Sequence, residues 1–208
     1  MSAASLAPAV QSGSMCVELW AKVDGTVGDA VLASSTSSGT SSAFILRCQQ
    51  YGGNSRLAFA VQNGAGIIEA TTNTNCNNGV WHHFAGCRDV QGSTVVLTEY
   101  MDGTPIATAT GTLSAIGTAG PTIIGGVSYA MDGVGGIVDE IRFSSTVRYT
   151  GAFTPVRRFA VDGSTIALYH LDEASGTAAV DAVGTYPGTL AGPFSRANDT
   201  GYQAPMCQ

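Results

Sequence analysis

The chain has a single lysine, Lys22, beside eight arginines, and no run of basic residues anywhere. Fifteen acidic residues bring the net charge to −6, so no basic stripe is available to neutralise a phosphate backbone, and nucleic acid is excluded as an expected partner. Charged residues of both signs amount to only 12%. Even so, no apolar run approaches the ~20 residues that span a bilayer, and membrane insertion is not expected. Helical periodicity is almost absent. The opening MSAASLAPAVQSGS has neither a basic n-region nor a hydrophobic h-region, so no secretory signal is expected in it. None of the five cysteines, Cys16, Cys48, Cys76, Cys87 and Cys207, forms a CxxC pair, which removes zinc-knuckle spacing. Their odd number and irregular spacing fit buried free thiols in a reducing compartment better than a disulfide framework. Cys76, in the polar turn Asn73 to Gly79, is expected to be the most exposed.

What is plentiful points to strands. Glycine reaches 27 copies and hydrophobic residues 44%, a balance suited to short strands joined by tight turns. At 208 residues the chain is long enough to bury a core as one domain. Strand-like runs occupy Met15 to Val23, Ala43 to Cys48, Arg56 to Gln62, Gly66 to Thr71, Val80 to Arg88 and Ser93 to Met101. Asp102-Gly103 tolerates the positive φ of a type I′ turn and predicts a hairpin into Thr104 to Thr110. Pro121 to Val127, Gly136 to Phe143 and Thr165 to Leu171 complete the set. So many short strands predict two antiparallel sheets packed face to face. Residues 1–14, rich in small side chains, read as an N-terminal tail or arm, and 194–208 as a C-terminal tail. Between strands, 144–164 is a long irregular connection with Tyr149, Phe153 and Phe159, expected to pack along a sheet edge.

Four segments, in order, resemble the concanavalin A-like, laminin-G-like jelly roll. They are Val17-Glu18-Leu19-Trp20-Ala21-Lys22-Val23, then Gly79-Val80-Trp81-His82-His83-Phe84-Ala85 with Arg88-Asp89. Leu97-Thr98-Glu99-Tyr100-Met101-Asp102-Gly103-Thr104-Pro105 and Gly135-Gly136-Ile137-Val138-Asp139-Glu140-Ile141-Arg142-Phe143 follow. The resemblance implies an all-β, antiparallel two-sheet jelly-roll sandwich over residues 15–193, with structural roles for Trp20, Trp81, His83 and Asp139. Val147-Arg148-Tyr149-Thr150-Gly151-Ala152-Phe153-Thr154-Pro155 also resembles the segment that follows this domain in phage virion proteins. That likeness implies a protein made in a host cytoplasm and carried on a virion surface, as a head decoration or tail-associated module. Its expected partners are other virion proteins or further copies of itself. Leu168-Tyr169-His170-Leu171-Asp172-Glu173 resembles the strand that usually opens the domain, yet stands near the end. It is expected to close its own sheet as a permuted strand, with exchange into a neighbouring subunit as the alternative over 165–193.

The candidate chemistry is thin. His82 and His83 are adjacent in a predicted strand, so their rings point to opposite faces and cannot both hold one ion. One ring is expected inside, hydrogen-bonded, and the other at the surface. Glycan hydrolases of this fold carry clustered carboxylates along a strand; Glu18, Glu69, Glu99, Glu140 and Glu173 form no such triplet. Asp139-Glu140 comes nearest, and the parity of Asp139 with Ile137, Ile141 and Phe143 predicts that Asp139 is the buried carboxylate. No enzymatic activity is expected. Relatives of the fold imply calcium at rim loops, for which Asp24, Asp29, Asn54 and Asp132 are the candidates. Otherwise no cofactor is expected. For glycan binding, the loops Tyr51-Gly52-Gly53-Asn54 and Tyr129-Ala130-Met131-Asp132-Gly133 offer an aromatic ring beside planar polar groups, with Tyr51, Asn54, Tyr129 and Asp132 as contacts. A secreted or cell-surface lectin-like module is therefore the alternative to the virion reading.

Overall fold

The computed structural model describes residues 1–25, 28–36, 42–113, 115–118, 120–126 and 135–191. The strands are β1 (Ser2–Ala3), β2 (Met15–Val23), β3 (Asp29–Thr36), β4 (Ser42–Tyr51), β5 (Asn54–Asn63), β6 (Gly66–Asn73) and β7 (Trp81–Gln91). They continue with β8 (Thr94–Met101), β9 (Thr104–Gly111), β10 (Thr122–Ile124), β11 (Gly136–Ser144), β12 (Thr165–Tyr169), β13 (Ala178–Ala179) and β14 (Gly188–Thr189). One sheet runs β13-β14-β1-β10-β3-β4-β5-β6 and the other β12-β11-β2-β7-β8-β9, a jelly-roll sandwich with antiparallel pairing throughout. The Asp102-Gly103 turn joins β8 to β9 with φ of 50° and 76°, both positive as a type I′ turn requires.

Alternation sets the core between the sheets. Val17, Leu19 and Ala21 of β2 meet Phe44 and Leu46 of β4, Leu57 and Phe59 of β5, and Phe84 of β7 in one buried cluster. Gly86 leaves room for the Phe59 ring, which a Cβ at that position would meet at 2.4 Å. Inward polar groups break the apolar rule, and one of them stands without partners. Glu99 of β8 is fully buried and neither carboxyl oxygen has a hydrogen-bond partner. Burial foremost, then the charge of Glu69, pushes its pKa up to about 9 against the opposing effect of Arg56, so the group is neutral at pH 7.

Several expectations change. Residues 1–14 are part of the sandwich: β1 pairs with both β10 and β14, and Leu6, Ala7 and Val10 around a short 3₁₀ turn, Ala7–Val10, are buried. Ser2 and Ala3 form a two-residue strand, and Leu6, Ala7 and Val10 anchor the segment in the core. The segment 194–208 lies outside the described residues. β12 pairs with β11 of the same chain and ends at Tyr169, because Leu171 adopts a left-handed φ of 56°. Residues 145–164 lie across the outer face of the six-stranded sheet, not along its edge, as a strap. Phe153 and Tyr149 pack on Cys16, Ala85, Cys87 and Tyr100, while Phe159 packs on Trp20 and Leu168. Gly103 is required beneath it, since a Cβ there would sit 1.9 Å from the Phe153 carbonyl oxygen.

The cysteine expectation is overturned. Cys16 and Cys87 stand directly opposite each other on β2 and β7 and are disulfide-bonded, and Cys48 of β4 is bonded to Cys76. Cys76 is fully buried instead of exposed, because its bond ties the Asn-rich turn down onto the core. Cys207 lies outside the described residues.

Two measurements check this fold. Non-reducing mass spectrometry should show a chain four mass units lighter than the reduced form, and Cys76→Ser should lower stability by about 3 kcal/mol through the released loop. For Glu99, the unfolded chain ionises near 4.5 and the folded chain near 9, so the native state binds the extra proton between these limits. Wild-type stability relative to Glu99→Met should therefore fall as pH rises from 5 to 8, by roughly 1 kcal/mol per unit. Parallel pH profiles of the two proteins would contradict that.

Candidate functional site

The two faces of the sandwich differ, and the closed one holds most of the buried polar chemistry. Glu18 of β2 points outward beneath the strap, where it is fully buried. It accepts from His83 Nε2 at 3.1 Å, from Arg142 Nε at 2.8 Å and Nη2 at 2.7 Å, and from the Tyr149 hydroxyl at 2.6 Å. Arg148 Nε stands 3.8 Å away. Burial pushes the Glu18 carboxyl up, but the bond from His83, the Arg142 charge and the Tyr149 hydroxyl outweigh it and hold the group below the usual carboxylate range. Every partner is locked in turn: the Arg142 guanidinium lies over the Phe159 ring at 4.6 Å, and Tyr100 donates to the Tyr149 carbonyl at 2.7 Å.

The histidine pair divides as alternation requires. His83 is fully buried on the strap side, edge-on to Trp20, Phe153 and Phe159. His82 lies at the rim, where its Nδ1 donates to Asp102 at 2.7 Å. Trp20 is buried and donates to the Val156 carbonyl at 3.0 Å, and Trp81 is half-buried against the same cluster. Asp139 is placed differently from its parity. A bulge between Asp139 and Arg142, with Glu140 at a φ of 51°, turns Asp139 to face the Trp20 row and makes Glu140 the buried carboxylate. Of the five glutamates, Glu18, Glu99 and Glu140 are shut away from solvent, Glu69 lies between two arginines, and Glu173 accepts from the Val180 N–H.

Among the described residues no group of three or more His, Cys, Asp or Glu is placed to hold a metal ion. Asp29 faces Arg47 at 3.7 Å, Asp24 and Asn54 are exposed at separate turns, and Asp132 lies outside the described residues.

The outer face of β3 to β6 is built differently. Inward Leu46, Leu57 and Ile68 leave Arg47 and Gln49 of β4, Arg56 of β5, and Ile67 and Glu69 of β6 on the opposite side. Arg47 reaches Glu69 at 3.5 Å, Arg56 reaches the other Glu69 oxygen at 3.8 Å, and Arg56 Nε donates to Gln49 Oε1 at 3.1 Å. Ala58 and Ala60 form the floor, directly opposite Arg47 and Ile45 across the ladder. Beside them Ile67 is 58% exposed. The result is an open plane of guanidinium, carboxylate and amide groups in loose mutual contact, with an apolar patch alongside.

This face adjoins one of the two loops expected to bind glycans. The hairpin turn Gly52-Gly53 pairs Tyr51 with Asn54, so Asn54 falls on the same face as Arg56, two residues on. Tyr51 closes β4 two positions after Gln49; its side chain is outside the description. Tyr129 and Asp132 lie outside the described residues. Arg47, Gln49, Arg56 and Glu69 were not singled out from the sequence, although polar residues two apart on either side of Gly52-Gly53 already signalled one shared face.

A family model described as the concanavalin A-like lectin/glucanases superfamily, laminin G type, matches residues 2–150. The chain belongs to that superfamily. Among solved structures it is similar to domains LG4-5 of the mouse laminin alpha1 chain, at 22% identity and TM-score 0.48, covering 74% of this chain and 44% of that one. The chain thus spans less than half the length of that laminin fragment. It is also similar to the Ruminococcus gnavus IT-sialidase CBM40 bound to alpha2,3 sialyllactose, at 16% identity and TM-score 0.47, covering 64% and 76%. The heptameric SAP-like pentraxin of Limulus polyphemus follows at 16% identity and TM-score 0.44, covering 69% and 68%. No curated protein matches the chain.

The two polar clusters should respond to truncation very unequally. Glu18→Ala strands buried Arg142 and His83 and should lower stability by about 3–5 kcal/mol. Glu69→Ala removes only loose ion pairs with side chains about a quarter exposed, and should change it by less than ~1 kcal/mol. Chemical denaturation of both variants checks the contrast.

Proposed function

We infer that this chain is a non-catalytic recognition module that binds glycans on the outer face of its eight-stranded sheet. The observation that carries this reading is the open plane of Arg47, Gln49, Arg56 and Glu69 over a small-residue floor, with Ile67 beside it. Sugars present hydroxyls that both donate and accept, in pairs, and an apolar face of C–H groups. Guanidinium and carboxylate groups side by side answer the hydroxyls, and Ile67 offers a surface for the ring. Those ion pairs add little to stability, so a ligand can take over their partners at little cost to the fold. Asn54 extends the same surface, and Tyr51 remains part of the proposal as the aromatic contact expected from the sequence. Tyr129 and Asp132 remain part of the proposal as a second loop. Membership of a superfamily named for lectins and glucanases supports the carbohydrate reading, and the glutamates' surroundings favour binding over hydrolysis. Two disulfides suit an oxidising setting outside the cell.

A second reading is favoured by one observation. The stretch 147–155, which resembles the segment after this domain in phage virion proteins, is the part of the strap that meets Glu18 through Tyr149 and Gly103 through Phe153. A head decoration or tail-associated module, assembled with other virion proteins or with its own copies, would be a virion-borne form of the same sandwich.

A glycan microarray tests the first reading. Wild-type protein is expected to bind a defined set of glycans, and the Arg47→Ala, Arg56→Ala double variant to lose at least about tenfold in affinity, the scale of truncating a central contact. A blank array together with co-sedimentation with virus particles would replace it with the second reading.

A further inference from the structure

Where β12 ends, the sandwich carries a cleft that neither the Glu18 cluster nor the open sheet face uses. Its volume is about 260 Å³, and it is lined by His170, Asp172, Glu173, Val180 and Ala182. The bulge that buries Glu140 sends its carboxylate to His170, whose Nδ1–H donates to Glu140 Oε1 at 2.8 Å. The other Glu140 oxygen accepts from the Phe159 N–H at 2.9 Å.

The remaining polar side chains of the lining are carboxylates. Asp172 holds Arg158 at 2.7 Å while staying 62% exposed, and Glu173 accepts from the Val180 N–H at 2.6 Å. Burial foremost, then the charges of Glu140 and Asp172 against the opposing effect of Arg157, pushes the neighbouring Asp139 carboxyl up to about 6. Between the acceptors the surface is apolar: Val180 is 59% exposed and Ala182 is exposed beside it. A sugar presents acceptors as well as donors, and half its valences would go unanswered here. A hydrocarbon stem ending in a cluster of donors would leave none unanswered.

We propose that this cleft binds a lysine or arginine side chain of a partner polypeptide, the stem on Val180 and Ala182 and the cationic head on Asp172 and Glu173. The strap already displays the chemistry: Arg158, 59% exposed, lies against Asp172 and reaches Glu140 at 3.4 Å. It is the internal competitor that an incoming cation displaces. The cleft shares no residue with the sheet face assigned to glycans, so either reading stands if the other fails.

The test titrates the intact protein with Nα-acetyl-lysine N-methylamide and with its arginine counterpart, following the His170 ring and Val180 methyl signals by NMR. The norleucine analogue serves as uncharged control and glucosamine as an ammonium carried on a sugar. Both cationic probes are expected to give saturable shifts, with dissociation constants in roughly the millimolar range and no shifts from norleucine. Asp172→Asn and Glu173→Gln should each weaken binding about threefold or more, and Arg158→Ala should tighten it about threefold. All three sites are on the surface, and an unchanged thermal midpoint confirms that each variant folds. Equal response to norleucine, glucosamine binding as tight as lysine, full affinity in both acid variants, or no shift at all would each overturn the proposal.

Discussion

The buried carboxylate of Glu18 is the constraint on which the layering of this molecule depends. It lies on the outer face of a sheet, where a sandwich usually meets water, and it is stable there only because the chain returns to cover it. His83 and Arg142 from the two neighbouring strands and Tyr149 from the strap supply its donors. A charge without them would not stay buried. The strap in turn has little regular backbone pairing of its own and is held by such side-chain bonds, by the Phe153 N–H to the Gly103 carbonyl, and by stacked Tyr149 and Phe153 rings 3.5 Å apart. The Cys16–Cys87 bond fixes the two strands beneath.

This closure gives the sandwich unequal faces. On the six-stranded side, groups often associated with chemistry, a histidine, a glutamate and two arginines, serve one another. On the eight-stranded side, Arg47, Arg56 and Glu69 form loose pairs about a quarter exposed over alanines. A jelly roll with both outer faces polar and open would give no reason to prefer one. Here the C-terminal third of the chain decides it, by covering one face and by building a separate acidic cleft at its own end.

The fold was largely legible because its strongest signals are local. Strict alternation gives β2 its bounds, and Asp102-Gly103 can hardly be anything but a hairpin turn. β3 was hidden because Ala30-Val31-Leu32-Ala33 is an unbroken apolar run, with a register shift between Val31 and Ala33 that removes alternation. Both disulfides were hidden for another reason: Cys16 and Cys87 are 71 residues apart and meet only through the register of β2 against β7. At Asp139 the sequence pattern misled, since one inserted residue reverses the parity of all that follows. The histidine pair needed only the period of a strand. The sheet-face cluster joins residues from three strands and becomes visible only once the two-residue turns and their registers are known.

Arginine labelling with p-hydroxyphenylglyoxal, read by mass spectrometry on the intact folded protein, tests the unequal faces most directly and requires no ligand. Arg47 and Arg56 should be modified readily, and Arg142 and Arg148, whose side chains are 9% and 12% exposed beneath the strap, much more slowly. In Glu18→Gln the protection of Arg142 and Arg148 should fall. Equal labelling of all four arginines in the wild-type protein would mean that the strap does not close that face, and would contradict the account.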